Sequence, residues 1–375
     1  MYIRPPKKRR SSPVRVIILL VLIAAGVYIL IYRRDMIEPI QIGPTPTPTP
    51  TAGDVMADAQ TLYLEGDLDG ALDLYWQAAE LDPDDAMPLV WAAHILTLRG
   101  RTGEAVGTAR KAVGLAPDNA KTLAALCMAL DWDAGADQAK LQEALTACLS
   151  AVDVDPSYAE AHAYLAEVYA DLGQASKAVE TAQLAVTLDD SSAFAHRDLG
   201  YALEKQRQYR AAVAEYVRAS QIHPRLAQPY IDLGRIHMSY NRTKDALSAY
   251  EKATVVDPNS AHAHDWLGQA YYSTGDYSRA AVVFKKATEV DPEFAPAWGH
   301  LGLAYYLLRN YEDAIEAYRK AFDLGEEKLE YYYELGLAYA FLERCDEARP
   351  WLLKAVELDP TAWPAWDGLD MCPEE

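Results

Sequence analysis

The sequence lacks the motifs that mark the common kinds of enzyme site. Its 375 residues contain no HExxH zinc motif, no GxSxG nucleophile turn and no glycine-rich phosphate loop. Only four residues are cysteine and none forms a CxxC pair, which argues against zinc and thioredoxin-like chemistry. The many acidic residues are scattered, as on a solvated face. We therefore expect a protein that is not an enzyme and has no catalytic residue, cofactor or metal site.

Basic charge is scarce beyond residue 38. Residues 1–38 hold 8 of the 35 basic and 2 of the 55 acidic side chains, which leaves 27 basic and 53 acidic residues, a net charge of −26, on the remainder. Such a chain has no basic surface to neutralise phosphates, so nucleic acid is excluded as a partner. Anionic lipid would repel it too, and we expect membrane contact only through residues 16–32.

Residues 16–32 form a run of seventeen residues without a charged side chain. At about 1.5 Å per residue, a helix of this length spans roughly 26 Å, close to the thickness of a bilayer core. The run therefore predicts a transmembrane signal anchor. A cleaved signal peptide is the alternative, but the segment YRRDMIEP that follows offers no small-residue cleavage site.

The charges beside this run predict its orientation. Six basic residues lie in the tail 1–15, while Arg33 and Arg34 follow the run with acidic residues close behind. This excess predicts a single pass through the cytoplasmic membrane, with a cytoplasmic tail and an extracytoplasmic C-terminal domain. An inverted anchor with cytoplasmic repeats stays open, and reduced cysteines would favour it.

A proline-rich linker follows the apolar run. Residues 33–53 comprise a juxtamembrane segment and the sequence GPTPTPTPTAG. Alternating proline favours an extended polyproline conformation, so we expect a semi-rigid stalk. Threonine-proline runs can be glycosylated outside the cell, and the sequence leaves open whether this one is.

The remainder of the chain repeats with a period of 34 residues. Proline recurs at this interval, or a multiple of it, with a single interval of 39, and Asp190 and Glu326 occupy two of the slots: Pro83, Pro117, Pro156, Pro224, Pro258, Pro292 and Pro360. Small residues recur in two further slots, occupied for example by Gly268 and Ala280. Amphipathic stretches on either side of a turn predict two helices per period, which is typical of a helical hairpin array.

This pattern resembles the tetratricopeptide repeat. The resemblance covers nine units from residue 54 to 360, followed by a capping helix and tail at 361–375. It implies an all-α, right-handed superhelical solenoid in which each unit contacts only its neighbours. The third unit carries five additional residues near 131–137, which we expect to lengthen its turn. Resemblance to single-span proteins of this family also implies a bacterial envelope protein.

The histidines fit the repeat better than a metal site. His162, His196 and His264 share one offset at the start of the first helix. Other units place tryptophan or tyrosine there, as at Trp298 and Tyr230. We therefore expect these histidines to fill a packing position.

By resemblance, the inward faces of the first helices line a concave groove that binds peptides. The positions that correspond to it here are mostly aromatic or basic: Trp91, His94, Tyr164, Arg197, Tyr201, Arg235, Trp266, Tyr272, His300, Tyr306 and Tyr333. Glu334 occupies the same inward offset as Trp266 and His300. We expect about half of the rings to pack between units. The lysine and asparagine set with which some family members hold a C-terminal carboxylate is missing, as is the asparagine ladder of glycosyl-transfer enzymes.

The sequence thus predicts a membrane-tethered, non-enzymatic scaffold that binds protein or peptide segments in its groove, for envelope assembly, secretion or complex formation. The alternative is an accessory subunit that positions substrate for an envelope enzyme, such as a glycosyltransferase or a peptidoglycan complex.

Two disulfides are predicted from the repeat offsets. Cys127 occupies the small slot of a first helix and Cys148 the bulky slot of the facing second helix, and an oxidising compartment would join them. Cys345 and Cys372 are expected at the same edge of the array and form the second predicted pair. All four would be buried free thiols if the topology is inverted.

Overall fold

The computed structural model describes residues 12–32 and 50–373. The chain divides into two units, Met1–Thr49 and Pro50–Glu375. Residues 1–11 of the predicted basic tail, most of the juxtamembrane segment and stalk, and the last two residues lie outside the described residues. All twenty regular elements within the described ranges are helices, which confirms the predicted all-α fold class.

Helix α1 (Pro13–Tyr32) includes the whole apolar run. Its twenty residues correspond to about 30 Å, and every one of its side chains is exposed. A mean hydropathy of 2.9 makes it long and apolar enough to cross a membrane. A signal sequence can have the same length and composition, so α1 alone shows only this capacity.

Residues 52–371 form nine helical pairs and a final helix, which stack into a solenoid. We number the pairs as units 1–9 in chain order. The first helices are α2 (Ala52–Glu65), α4 (Met87–Leu98), α6 (Ala120–Ala134), α8 (Ala159–Asp171), α10 (Ala193–Lys205), α12 (Gln228–Ser239), α14 (Ala261–Ser273), α16 (Ala295–Leu307) and α18 (Leu329–Phe341). The second helices are α3 (Leu68–Leu81), α5 (Thr102–Leu115), α7 (Gln138–Val154), α9 (Ala175–Leu188), α11 (Tyr209–Ile222), α13 (Thr243–Val256), α15 (Tyr277–Val290), α17 (Tyr311–Asp323) and α19 (Cys345–Leu358). The final helix is α20 (Trp363–Met371).

The start of most first helices is held by one recurring hydrogen bond. The ring nitrogen of His162 lies 3.0 Å from the carbonyl oxygen of Pro156, six residues earlier. His264 and Trp298 make the same contact with the carbonyl oxygens six residues before them, at 2.9 Å each. The histidines therefore share a packing position with tryptophan and satisfy a carbonyl in the loop before the helix.

The recurring glycines allow the two helices of a unit to approach closely. A Cβ atom built on Gly268 would lie 2.5 Å from Cδ1 of the Phe284 ring, and one on Gly200 would lie 2.8 Å from the Tyr216 ring. Phe284 and Tyr216 are fully buried on the facing second helices. Alanine would lose less conformational entropy than glycine when the helix forms, but the packed rings leave no room for its methyl group.

We expect Gly268→Ala to lower the free energy of unfolding by about 1–3 kcal/mol, because the added methyl group overpacks the contact with Phe284. Gly107→Ala is the matched control, since Gly107 also lies within a helix but nothing is within 4 Å of its Cβ position. That change should stabilise by up to about 1 kcal/mol through helix propensity. Chemical denaturation followed by circular dichroism measures both. Equal effects of the two changes would contradict the packing role.

The additional residues of unit 3 lengthen its helices and not its turn, which corrects the prediction. Helix α6 has 15 residues and α7 has 17, while the neighbouring unit 4 has 13 and 14. Asp131 and Ala134 continue α6 as buried residues, so only residues 135–137 separate the helices. Helical hydrogen bonds satisfy backbone groups that a longer loop would leave to solvent.

The expectation that each unit contacts only its neighbours was wrong. Arg99, at the turn of unit 2, donates to Asp69 of unit 1 at 2.9 Å and also pairs with Asp257, which follows unit 6. Asn259 donates to Asp69 at 2.9 Å as well. The ring of His262 covers Gly100, which has a left-handed backbone with φ of 76°. Units 1 and 2 thus close the first part of the solenoid against the loop that joins units 6 and 7.

Candidate interaction groove

The eleven residues predicted to line the groove fall into two groups. The members from units 2–6 contact other side chains of the same wall: Trp91, His94, Tyr164, Arg197, Tyr201 and Arg235. The members from units 7–9 are aromatic and partly exposed: Trp266, Tyr272, His300, Tyr306 and Tyr333. Trp91, Tyr201 and Arg235 are partly exposed as well, so the two groups differ in their polar partners and not in burial. Carboxylates of neighbouring units hold Arg197, Tyr201 and Arg235, whereas His300 alone of the later five has such a partner among the described residues. We therefore call units 2–6 the filled half of the groove and units 7–9 the accessible half.

Arg197 is the centre of a buried ionic network in the filled half. Its side chain is 5% exposed, and its Nη1 donates to Glu167 at 2.6 Å. The same atom donates to Asp198 at 2.8 Å, and Nε donates to Asp232 at 3.0 Å. The guanidinium carbon lies 5.3 Å from the centre of the Trp132 ring. All of these groups belong to the protein itself, so Arg197 is not free to bind a ligand.

Tyr201 and Arg235 extend this network. The Tyr201 hydroxyl donates to Asp171 at 2.5 Å. Arg235 donates to Glu204 at 2.8 Å, and its guanidinium carbon lies 5.6 Å from the centre of the Tyr201 ring. These two predicted groove residues also have internal partners, so they tie neighbouring first helices together.

Aromatic rings from units 1–5 line a separate cavity of about 440 Å³. The Tyr63 hydroxyl lies 3.1 Å from Nε2 of His94, whose ring contacts Phe194 at 4.8 Å between centroids. Burial, with a smaller contribution from His223, lowers the pKa of His94 to about 4. His94 is therefore a neutral wall residue at physiological pH. Trp91 and Tyr164 also line this cavity.

Units 6–8 enclose a half-open cavity of about 350 Å³ in the accessible half. The Trp266 ring stacks on Tyr250, with 6.1 Å between the ring centroids and an interplanar angle of 10°. His300 Nδ1 lies 2.7 Å from Asp265. Tyr272 lines the same cavity, so rings of units 6–8 form much of a mainly apolar cleft.

Glu334 lies on α18 at the predicted inward offset, and Tyr306 and Tyr333 lie on α16 and α18. Its carboxylate accepts a hydrogen bond from the Tyr318 hydroxyl. Burial is the main cause that raises the pKa of Glu334 to about 7, and the nearby Glu330 adds to it. The accessible half therefore combines rings with one acid that is only partly ionised at neutral pH.

Sequence comparison matches this array to two models of the tetratricopeptide repeat. One covers residues 134–193, 231–293, 268–327 and 300–362, which is more than half of the chain, and the other covers residues 54–85. The chain belongs to the tetratricopeptide repeat family. These matches confirm the resemblance predicted from the 34-residue period.

Three known proteins are similar to this tetratricopeptide chain over different shares of its length. A TPR repeat-containing thioredoxin, TTL4 of Arabidopsis thaliana, is 36% identical over 98 residues, which are 26% of this chain and 13% of that protein. The chain thus spans a small part of this relative. The fold is similar to a chain of the APC/C hetero-tetramer Cut9–Hcn1, with a TM-score of 0.57, 16% identity and coverage of 88% of this chain and 78% of that one. PilF of Pseudomonas aeruginosa has a TM-score of 0.51 and 20% identity, over 57% of this chain and 96% of its own.

The filled half of the tetratricopeptide groove holds more acid than base. One carboxylate oxygen of Asp131 and one of Asp198 are buried without a hydrogen-bond partner among the described residues. Burial raises the pKa of both groups well above the usual range, and the nearby Glu167 adds to the effect. These carboxyl groups therefore retain protons at pH values where exposed acids are ionised.

Both predicted cysteine pairs are joined in the structure. Cys127 and Cys148 link α6 to α7 with 5.1 Å between their Cα atoms, and both side chains are fully buried. Cys345 and Cys372 link the start of α19 to the end of α20 with 5.2 Å between Cα atoms. Each bridge closes a short stretch of the tetratricopeptide array, one in unit 3 and one at its C-terminal end.

Sequence reasoning omitted several residues that shape the two cavities. Tyr63, Phe194 and His223 line the N-terminal cavity. Tyr63 lies near the end of α2, Phe194 at the start of α10 and His223 directly after α11, and none of these positions belongs to the inward offset. Glu334 does occupy the inward offset, and the omission followed from selecting aromatic and basic residues. An acid flanked by the three tyrosines at 331–333 was the signal that could have found it.

Proposed function

We propose that this protein is a membrane-tethered, non-enzymatic scaffold that binds a protein segment in the groove of units 7–9, outside the cytoplasmic membrane. The segment would contact Trp266, Tyr272, His300, Tyr306 and Tyr333. The bound partner would take part in envelope assembly, secretion or the formation of an envelope complex.

The observation that carries this proposal is the difference between the two halves of the groove. In units 3–6 the inward charges are satisfied within the protein, as Arg197 and Arg235 illustrate. In units 7–9 the inward rings stay partly exposed, and Trp266, Tyr272 and His300 line a cavity of about 350 Å³. Aromatic rings contribute large contact areas with few rotatable bonds, and they are frequent at the centres of protein interfaces.

Three features support the proposed location. Helix α1 is long and apolar enough to cross a bilayer. Basic residues precede it in excess, which favours a cytoplasmic N-terminus. All four cysteines are paired, and disulfides persist mainly in oxidising compartments.

Protease treatment of intact spheroplasts tests the topology. We expect added protease to degrade the repeat domain while a cytoplasmic control protein survives, because residues 50–375 would lie outside the membrane. Immunoblotting against a C-terminal tag gives the readout. A repeat domain that is protected until the cells are lysed would overturn the proposed location.

Photo-crosslinking tests the groove. A photo-reactive amino acid at Tyr272, on the proposed binding surface, should capture a protein partner in cells, whereas one at Tyr240, which is 48% exposed near the turn of unit 6, should not. Equal capture at both positions would contradict the proposed surface. Recovery of a single stoichiometric enzyme would instead identify the protein as an accessory subunit of that enzyme.

A further inference from the structure

We propose that Glu334, together with Tyr272, Tyr306 and Tyr333, binds one lysine or arginine side chain of the segment that occupies the groove. This inference rests on the proposed function, because it names the chemistry of the partner at the same surface. It requires one basic residue in the bound segment, which a groove for purely apolar segments would not require.

Glu334 differs from most acids of the first helices by lacking a cation. Glu167 pairs with Arg197, and Glu204 pairs with Arg235. Asp131 also has no ion-pair partner among the described residues, but it is buried, whereas Glu334 is partly exposed. Glu334 accepts a hydrogen bond from Tyr318, and none of the ion pairs among the described residues includes it. Its carboxylate is largely buried, so an ionised form without a partner is costly.

Three tyrosines of successive first helices lie near this carboxylate, and two of them, Tyr306 and Tyr333, pack against the hydrophobic cluster that contains its hydrogen-bond donor, Tyr318. Tyr272 lies on α14, Tyr306 on α16 and Tyr333 on α18, and all three are partly exposed. Burial and then the charge of Glu334 raise the pKa of each hydroxyl, to about 12 for Tyr306. The hydroxyls are therefore within electrostatic reach of the carboxylate, and the rings are available to contact a cation.

In the filled half of the groove, an arginine of the protein itself occupies a comparable arrangement of carboxylates and rings. There Arg197 lies 5.3 Å from the centre of the Trp132 ring and 5.6 Å from that of Tyr201, and it pairs with inward carboxylates. Units 7–9 present the same combination of inward carboxylate and rings, but without an arginine of their own at Glu334. A lysine or arginine from the partner would complete the arrangement.

Other kinds of occupant fit less well. An acidic side chain would be repelled by Glu334 and by a chain with a net charge of −26 beyond residue 38. A metal ion would need further ligands, and no group of three histidine, cysteine, aspartate or glutamate residues suited to a metal occurs in the part of the chain that the structure describes. A neutral side chain would leave the carboxylate without a counter-charge, with the Tyr318 hydroxyl as its hydrogen-bond donor.

The probe for this proposal is a library of random dodecapeptides, displayed on phage and selected on the full chain in lipid nanodiscs. We expect the selected peptides to share one lysine or arginine beside apolar residues. Selection on the Glu334→Gln variant should lose this preference, while Glu330→Gln, which removes an exposed acid from the same helix, should retain it. Glutamine preserves an acceptor for Tyr318, and circular dichroism verifies that the variant folds.

A double-mutant cycle then assigns the contact. Replacing the shared basic residue of a selected peptide by glutamine should weaken its binding to the wild-type chain about tenfold or more. The same replacement should have little effect on binding to Glu334→Gln. Peptides that bind without a basic residue would overturn this inference and leave the proposed groove intact, and failure to select any peptide would overturn both.

Discussion

Replacing Arg197 with methionine is expected to lower the free energy of unfolding by about 3–5 kcal/mol, the largest effect of any single change considered for this protein. The change leaves the Glu167, Asp198 and Asp232 carboxylates without their shared cation, and the side chains of all three are 6% exposed or less. Chemical denaturation of the detergent-solubilised chain, followed by circular dichroism, measures the loss.

Lys205→Met provides the matched control. Lys205 also pairs with an inward acid, Asp171 at 2.9 Å, but its side chain is 37% exposed. An exposed pair contributes less than about 1 kcal/mol, so this variant should be nearly as stable as the wild type. Similar losses for the two variants would show that the buried network does not hold units 4–6 together.

The pH dependence of the Arg197→Met variant gives a second test. Burial raises the pKa of Glu167 and Asp198 in the folded protein. An acid with a raised pKa binds more protons folded than unfolded, so its destabilising effect is greatest when both states are ionised and declines as pH falls. The deficit of the variant should therefore be smaller at pH 5 than at pH 8.

The helical fold was predictable because its evidence recurs in every unit. A glycine such as Gly268, a facing alanine such as Ala280 and a ring such as Phe284 recur at the same offsets, and each set describes a contact between two helices of one unit. The contact of Arg99 with Asp257 spans 158 residues and was not predictable. It depends on the curvature of the solenoid, which accumulates from small rotations between units that the period does not specify.

The offset selected Arg197 and Tyr201 as candidate groove residues, but it could not show that neighbouring first helices supply their hydrogen-bonding partners. That information was present as opposite charges about one period apart, such as Glu167 and Arg197 or Arg197 and Asp232. A search for such pairs would have separated the filled half from the accessible half, and would have identified Glu334 as an acid without a cation.

Removing either disulfide is expected to cost about 3 kcal/mol, because each bridge closes a loop of 21 to 27 residues and restricts the unfolded chain. The two losses should differ in their location. Cys127 and Cys148 are buried in unit 3, so replacing both with alanine should weaken units 2–4 together. Replacing Cys345 and Cys372 should release α20, where Trp363 is 74% exposed, and leave the other units unchanged.

Hydrogen exchange measured by mass spectrometry separates these two outcomes. Without the C-terminal bridge we expect faster exchange only in α19 and α20. Without the bridge in unit 3 we expect faster exchange across α4–α9. Treating the wild-type chain with a reductant should produce both changes. In a variant that has one cysteine pair replaced by alanine, the reductant should produce only the change that belongs to the remaining bridge. Four thiols that react with an alkylating agent after the wild-type chain is unfolded without reductant would show that its cysteines are free as the cell makes them. That result would favour cytoplasmic repeats and overturn the proposed location.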